Sequence, residues 1–90
     1  MEIHYIGAKW CKACHAVKPN VKELSKQSNL PFHEHDYDAL SEKEQATIGK
    51  LPTIRIKENE IIQAEFMTST AADSLKLYLQ SKKCLPEEEF

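Results

Sequence analysis

Two hydrophobic periods alternate along this chain. In residues 2–6, Ile3 and Tyr5 point one way and His4 and Ile6 the other, as side chains of a strand do. A strand with apolar residues on both faces suits a central place in a sheet, between helices. Gly7-Ala8-Lys9-Trp10 follows as a loop, and then the period lengthens. From Cys11 to about Ser28, Cys14, Val17, Val21 and Leu24 recur at i, i+3, i+7 and i+10, one face of a helix. Lys18, Lys22, Glu23 and Lys26 take the solvent side. Pro19 lies inside this helix, removes one backbone hydrogen bond and is expected to kink it after two turns.

Ser28-Asn29-Leu30-Pro31 reads as a turn, and Phe32 to Asp36 as a second strand of poor alternation. Ser41 is a good N-cap with Glu44 three residues on, so a short helix is expected to run to about Ile48, with Gly49 as its stop. Leu51-Pro52-Thr53 opens a third strand, in which Ile54 and Ile56 alternate with Thr53, Arg55 and Lys57. Glu58-Asn59-Glu60 turns the chain, and Ile61 to Phe66 is its hairpin partner. Thr70 is expected to cap a last helix, with Asp73 three residues later and Ala72, Leu75 and Leu79 buried, Tyr78 at the edge, and Cys84-Leu85-Pro86 at its end.

The predicted order is β-α-β-α-β-β-α. Strands joined by crossover helices pair in parallel, and a closing hairpin is antiparallel. The fold class is α/β, a mixed four-stranded sheet with helices on both faces. Residues 1–85 make one domain, and residues 86–90, from Pro86 through Glu87-Glu88-Glu89 to Phe90, an acidic tail. Ninety residues leave little room for a second domain.

Composition narrows the function. With 41% hydrophobic and 29% charged residues the chain reads as globular. A net charge of −2 makes no electrostatic case for nucleic acid or an anionic membrane. No apolar run approaches the roughly 20 residues that span a bilayer. The N-terminus has neither a basic n-region nor an apolar h-region, so a cytoplasmic, reducing setting is expected. The chain is expected to be a monomer.

The chemistry lies in Cys11 and Cys14. A Cys-x-x-Cys pair where a strand turns into a helix is the pattern of a thiol–disulfide redox site. Two intervening residues let both sulfurs meet at the first helical turn, where free N–H groups and the helix dipole favour negative charge. The first cysteine therefore tends to ionise, and a thiolate is the nucleophile of disulfide exchange. Lys9, Lys12 and His15 would add to that preference. The count of three cysteines, with Cys84 left over as a free thiol, argues against a disulfide-stapled scaffold.

Two other readings use the same residues. Cys11-Lys12-Ala13-Cys14-His15 matches the Cys-x-x-Cys-His haem attachment pattern, with Met67 available as an axial ligand. The motif follows a strand, however, and haem leaves Leu51-Pro52-Thr53 unexplained. A zinc module would need two more ligands from Cys84, His4, His15, His33 or His35. No second Cys-x-x-Cys exists, and His33 and His35 read as surface residues, so no metal or cofactor is assigned.

Three signals together carry a resemblance to the thioredoxin-like superfamily. Trp10-Cys11-x-x-Cys14 resembles its Trp-Cys-Gly-Pro-Cys active site. Pro19, five residues after Cys14, is similar to the proline that kinks the active-site helix. Leu51-Pro52-Thr53 resembles the cis-proline loop, which lays backbone beside the disulfide and pairs with substrate chain. The resemblance implies a thioredoxin fold of glutaredoxin size, without the extra N-terminal strand and helix. The minimal form is similar to glutaredoxins and to the NrdH-type redoxins that feed ribonucleotide reductase; Cys14-His15-Ala16-x-Lys18 resembles the latter.

It also implies roles. Cys11 attacks a disulfide in a partner protein, and Cys14 resolves the mixed disulfide. Trp10, Leu51, Pro52 and Thr53 contact the substrate, and a separate thioredoxin-reductase-type donor returns the electrons. A glutathione-coupled glutaredoxin is the alternative, but Met67-Thr68-Ser69-Thr70 stands where glutaredoxins keep a Gly-Gly turn. Three departures stand out. Tyr5 occupies the place, six residues before Cys11, of the buried acid of thioredoxins; Lys12-Ala13 replaces Gly-Pro; and Met67 replaces a glycine beside the active site.

Overall fold

A computed structural model describes residues 1–84. The elements run β1 (Glu2–Gly7), α1 (Lys12–Ser28), β2 (Phe32–Asp36), α2 (Glu42–Gln45), β3 (Thr53–Glu58), β4 (Ile61–Met67) and α3 (Ala71–Ser81), with a 3-10 turn at Tyr37–Ala39. The sheet order is β2-β1-β3-β4. β1 pairs with β2 in parallel, and β1/β3 and β3/β4 are antiparallel. β1 is therefore interior, as its two apolar faces require.

Alternation divides the sheet into two faces. Ile3, Tyr5, Ile54 and Ile56 face α1 and α3 and form the core with Val17, Val21, Leu24, Ala71, Ala72, Leu75 and Leu79. All four residues of the α1 stripe read from the sequence, Cys14, Val17, Val21 and Leu24, are buried. Glu2, His4, Arg55 and Lys57 occupy the opposite face. The α2 region covers only part of it, as Leu40, Thr47 and Ile48 share a cavity with His4, Ile6 and Arg55.

The helix ends explain where the expected lengths fail. α2 stops at Gln45, short of Ile48, because the chain tightens: the amides of Thr47 and Ile48 bond three residues back, to Glu44 and Gln45, and the Thr47 hydroxyl takes the Glu44 carbonyl as well. Its start is as expected, with the Glu44 amide donating to Ser41 Oγ at 3.2 Å. α3 ends at Ser81 because Lys83 turns left-handed (φ 60°), and the amides of Cys84 and Lys83 return to Leu79 and Gln80. Thr70 stands at its N-cap but makes no side-chain capping bond.

α1 closes the same way through left-handed Asn29 (φ 57°), with the Leu30 amide on Ser25. In the β3–β4 hairpin, Asn59 and Glu60 both take positive φ, the geometry of a two-residue turn that matches strand twist. No helix among the described residues is long and apolar enough to cross a membrane. The end expected for the last helix at Leu85-Pro86 and the acidic tail lie outside the described residues.

Candidate active site

The β1–α1 loop delivers the two cysteines to opposite environments. Cys11 is the N-cap of α1, in extended backbone (φ −96°, ψ 109°), and its Sγ accepts the Cys14 amide at 3.2 Å. It is partly exposed, whereas Cys14 is 2% exposed and belongs to the core. The two are paired as a disulfide, Cα to Cα 5.2 Å. An N-cap sulfur that accepts a backbone N–H is well placed to carry negative charge, because the orphan amides of the first turn and the helix dipole both favour it.

Tyr5 stands where an acid was the family expectation. Its ring is buried, and its hydroxyl donates to the Cys14 carbonyl at 3.0 Å. Burial first, and then the Glu34 carboxylate, push its pKa up to about 12. The phenol therefore stays protonated through the neutral range. It anchors the backbone of Cys14 and cannot take a proton from its thiol there.

Trp10 is 65% exposed, yet it is held. Its indole N–H donates to the Asp38 carboxylate at 3.0 and 3.3 Å, and its ring meets Tyr37 edge-on at 6.4 Å. Neither Asp38 nor Tyr37 was legible as part of the site, since they lie in a connection with no periodicity. On the other side of Cys11 the backbone of Gly49-Lys50-Leu51 approaches. Trp10, Cys11, Tyr37, Ile48, Lys50 and Leu51 wall a groove of about 240 Å³ together with Gly49. The Leu51–Pro52 peptide bond is cis. Pro52 accepts the Thr68 amide at 3.0 Å, and the buried Thr53 hydroxyl donates to the Lys50 carbonyl at 2.5 Å. Among the described residues the Leu51 backbone makes no hydrogen bond.

The residues expected to tune Cys11 lie at the surface. Lys9, Lys12 and His15 are all exposed, and the His15 Nε2–H donates to the Lys9 carbonyl at 2.7 Å. Gly7 is a residue that sequence reasoning passed over. A Cβ at Gly7 would lie 2.8 Å from Tyr5 Cζ, so the Tyr5 ring can cross the end of β1 only because residue 7 has no side chain.

Comparison with known proteins agrees with this geometry. No curated protein matches the chain by sequence. Among solved structures, Plasmodium falciparum thioredoxin is 26% identical with a TM-score of 0.76, covering 89% of this chain and 83% of that one. Trypanosoma brucei brucei thioredoxin is 18% identical with a TM-score of 0.78, covering 91% and 74%. Thioredoxin 1 of Thermosipho africanus is 22% identical with a TM-score of 0.72, covering 92% and 99%. The thioredoxin family model matches residues 3–81. That match takes in both cysteines and, but for Glu2 at the start of β1, every strand and helix described above, so the chain belongs to the thioredoxin family and is a thiol–disulfide oxidoreductase working through Cys11 and Cys14.

Proposed function

We infer that the chain reduces disulfides in partner proteins, with Cys11 as the attacking thiolate and Cys14 as the resolving thiol. The observation that carries this reading is the asymmetry of the pair. Cys11 is partly exposed at the helix N-cap, while Cys14 is buried directly behind it. A partner's sulfur can reach the first and not the second.

In the first step Cys11 Sγ bonds to one sulfur of the partner's disulfide, and the other leaves as a thiolate. Cys14 then loses its proton to solvent and attacks Cys11 Sγ. The Cys11–Cys14 bond forms, and the partner's second sulfur leaves. Both partner thiolates take up protons, and two electrons have moved to the partner.

Trp10 and Leu51 line the docking groove, and the buried Pro52 and Thr53 hold the Leu51 backbone in place beneath it. The unpaired Leu51 backbone offers hydrogen bonds to an extended partner segment, as an added strand uses. The helix terminus, with Lys9, Lys12 and His15 close in sequence, lowers the cost of the Cys11 thiolate. The oxidised pair is re-reduced by a separate thioredoxin-reductase-type donor, since the chain has no Gly-x-Gly-x-x-Gly with which to hold a dinucleotide itself. The setting that suits a reductase of this kind is the cytoplasm, where thiols are kept reduced. Ribonucleotide reductase is one partner of suitable chemistry. A monomer suffices for every step.

The test is reduction of the oxidised protein by two donors in parallel, with alkylation and mass measurement of the Cys11–Cys14 peptide. One sample receives NADPH and a thioredoxin reductase, the other glutathione and its reductase. Reduction in the first alone is expected. Reduction by glutathione alone would replace this reading with a glutaredoxin's.

A further inference from the structure

The sheet face opposite α1 carries a second cluster of reactive side chains. Glu2 and His4 are two apart on β1, so they share a face. His33 is the register neighbour of His4 on the parallel strand β2, and His35 follows two residues on. His33 Nε2 lies 2.6 Å from Glu2 Oε1, and His4 Nε2 lies 3.6 Å from the same oxygen. One ligand atom from each of Glu2, His4 and His33 falls within 4.8 Å of the others.

We propose that Glu2, His4 and His33 form a binding site for one divalent transition-metal ion of the Zn²⁺ class. Two atoms bound at about 2.1 Å with tetrahedral angles stand about 3.4 Å apart. The His4–Glu2 separation already matches that spacing. The His33–Glu2 contact has to open, and the exposed His33 ring, stacked on His4 at 4.6 Å, has to turn with it.

The orientation of His4 is built in. Its Nδ1 is hydrogen-bonded to His35 Nε2 at 2.9 Å, and the two ring planes lie within 8° of parallel. Nε2 is thereby left facing Glu2 and His33. A hydrogen bond to the other nitrogen of a ligating histidine is the usual outer support of such sites, from a carboxylate, carbonyl or water elsewhere and from an imidazole here. Two imidazoles and one carboxylate suit zinc and its neighbours and not calcium or magnesium, which take oxygen alone. A fourth position stays open to water. Burial first, and Lys57 after it, hold His4 and His35 below the ordinary histidine range. Lys57 also opposes a cation at the site, and Glu2 supplies the offsetting charge.

The ion would cross-link the interior strand β1 to the edge strand β2. Its role is a clamp on the open edge of the sheet, outside the redox steps.

The test uses the oxidised Cys84→Ser protein, so that no thiolate can compete, titrated with Zn²⁺ by calorimetry. One ion per chain is expected. His33→Ala and Glu2→Gln, both changes at half-exposed side chains, should each weaken binding at least tenfold, and His35→Gln about tenfold through its support of His4. His15→Ala should bind as the parent does. In the parent, NMR of the imidazole protons should show zinc-dependent shifts at His4 and His33. Absence of stoichiometric uptake, or uptake that survives both His33→Ala and Glu2→Gln, would overturn the proposal.

Discussion

The Tyr5 ring lies across the α-carbon of Gly7, two residues along the same strand face, and its hydroxyl passes beyond it to the Cys14 carbonyl at 3.0 Å. The two residues are one packing solution. A large side chain at position 5 reaches the active-site helix only over a residue with none. Gly7→Ala should therefore destabilise the oxidised protein by about 1–3 kcal/mol through overpacking. Tyr5→Phe should cost about 1 kcal/mol through the lost hydrogen bond. Urea midpoints check both. In the double variant the Gly7→Ala penalty should persist, because the ring carbons and not the hydroxyl alone obstruct a Cβ. A fully relieved double variant would contradict this packing.

The unequal burial of the cysteines separates their single variants. Cys14→Ser should still attack a partner and accumulate as a mixed disulfide through Cys11, visible as a mass adduct that reductant removes. Cys11→Ser should form none, since Cys14 is 2% exposed. Both should lose catalytic turnover completely. Equal adducts from the two variants would mean that Cys14 is reachable, and the assigned order of attack would fail.

Much of the fold was legible because its signals are periodic and local. The Cys14/Val17/Val21/Leu24 stripe, the two faces of β1 and the burial of Ile54 and Ile56 in β3 each follow from residues a few positions apart, and each is seen in the structure, although Thr53 at the start of β3 is buried with them. The helix ends were less legible. The stop at Ser81 depends on Lys83 adopting a left-handed backbone that glycine normally marks. Around the cysteines, the pair itself could be read, but its supports could not. Trp10–Asp38, beside the pair, and His4–His33, on the opposite sheet face, join residues 28 and 29 apart in sequence, and only the parallel pairing of β1 with β2 and the turn after it bring them together. Gly7 gave no signal, because what it accommodates is a side chain two residues away.

Trp10 is exposed over most of its surface, so removing it should disturb recognition more than folding. Trp10→Ala is expected to raise KM for a protein disulfide several-fold while shifting stability by under about 1 kcal/mol. Reduction by a small dithiol, which needs no docking groove, should stay near the parent rate. Asp38→Asn should loosen the indole and reproduce part of the KM effect, with a change in tryptophan fluorescence. An unchanged KM in Trp10→Ala would reduce Trp10 to packing over the loop.

Lys83 offers a stabilising change. It holds φ 60° so that the Cys84 amide can reach Leu79 at 2.8 Å and close α3. A β-carbon makes that conformation cost roughly 1–2 kcal/mol, a cost glycine escapes, though glycine also loses more entropy on folding. The balance favours Lys83→Gly by about 0.5–1 kcal/mol. In a domain of this size that raises Tm by about 2–8 °C. Asn29→Gly, at φ 57°, should gain less, because asparagine tolerates the left-handed region better than lysine. Thermal unfolding of the two oxidised variants beside the parent decides it. Equal gains would show that the left-handed backbone, and not the residue type holding it, sets the cost. A loss in Lys83→Gly would show that the lysine makes contacts worth more than the strain.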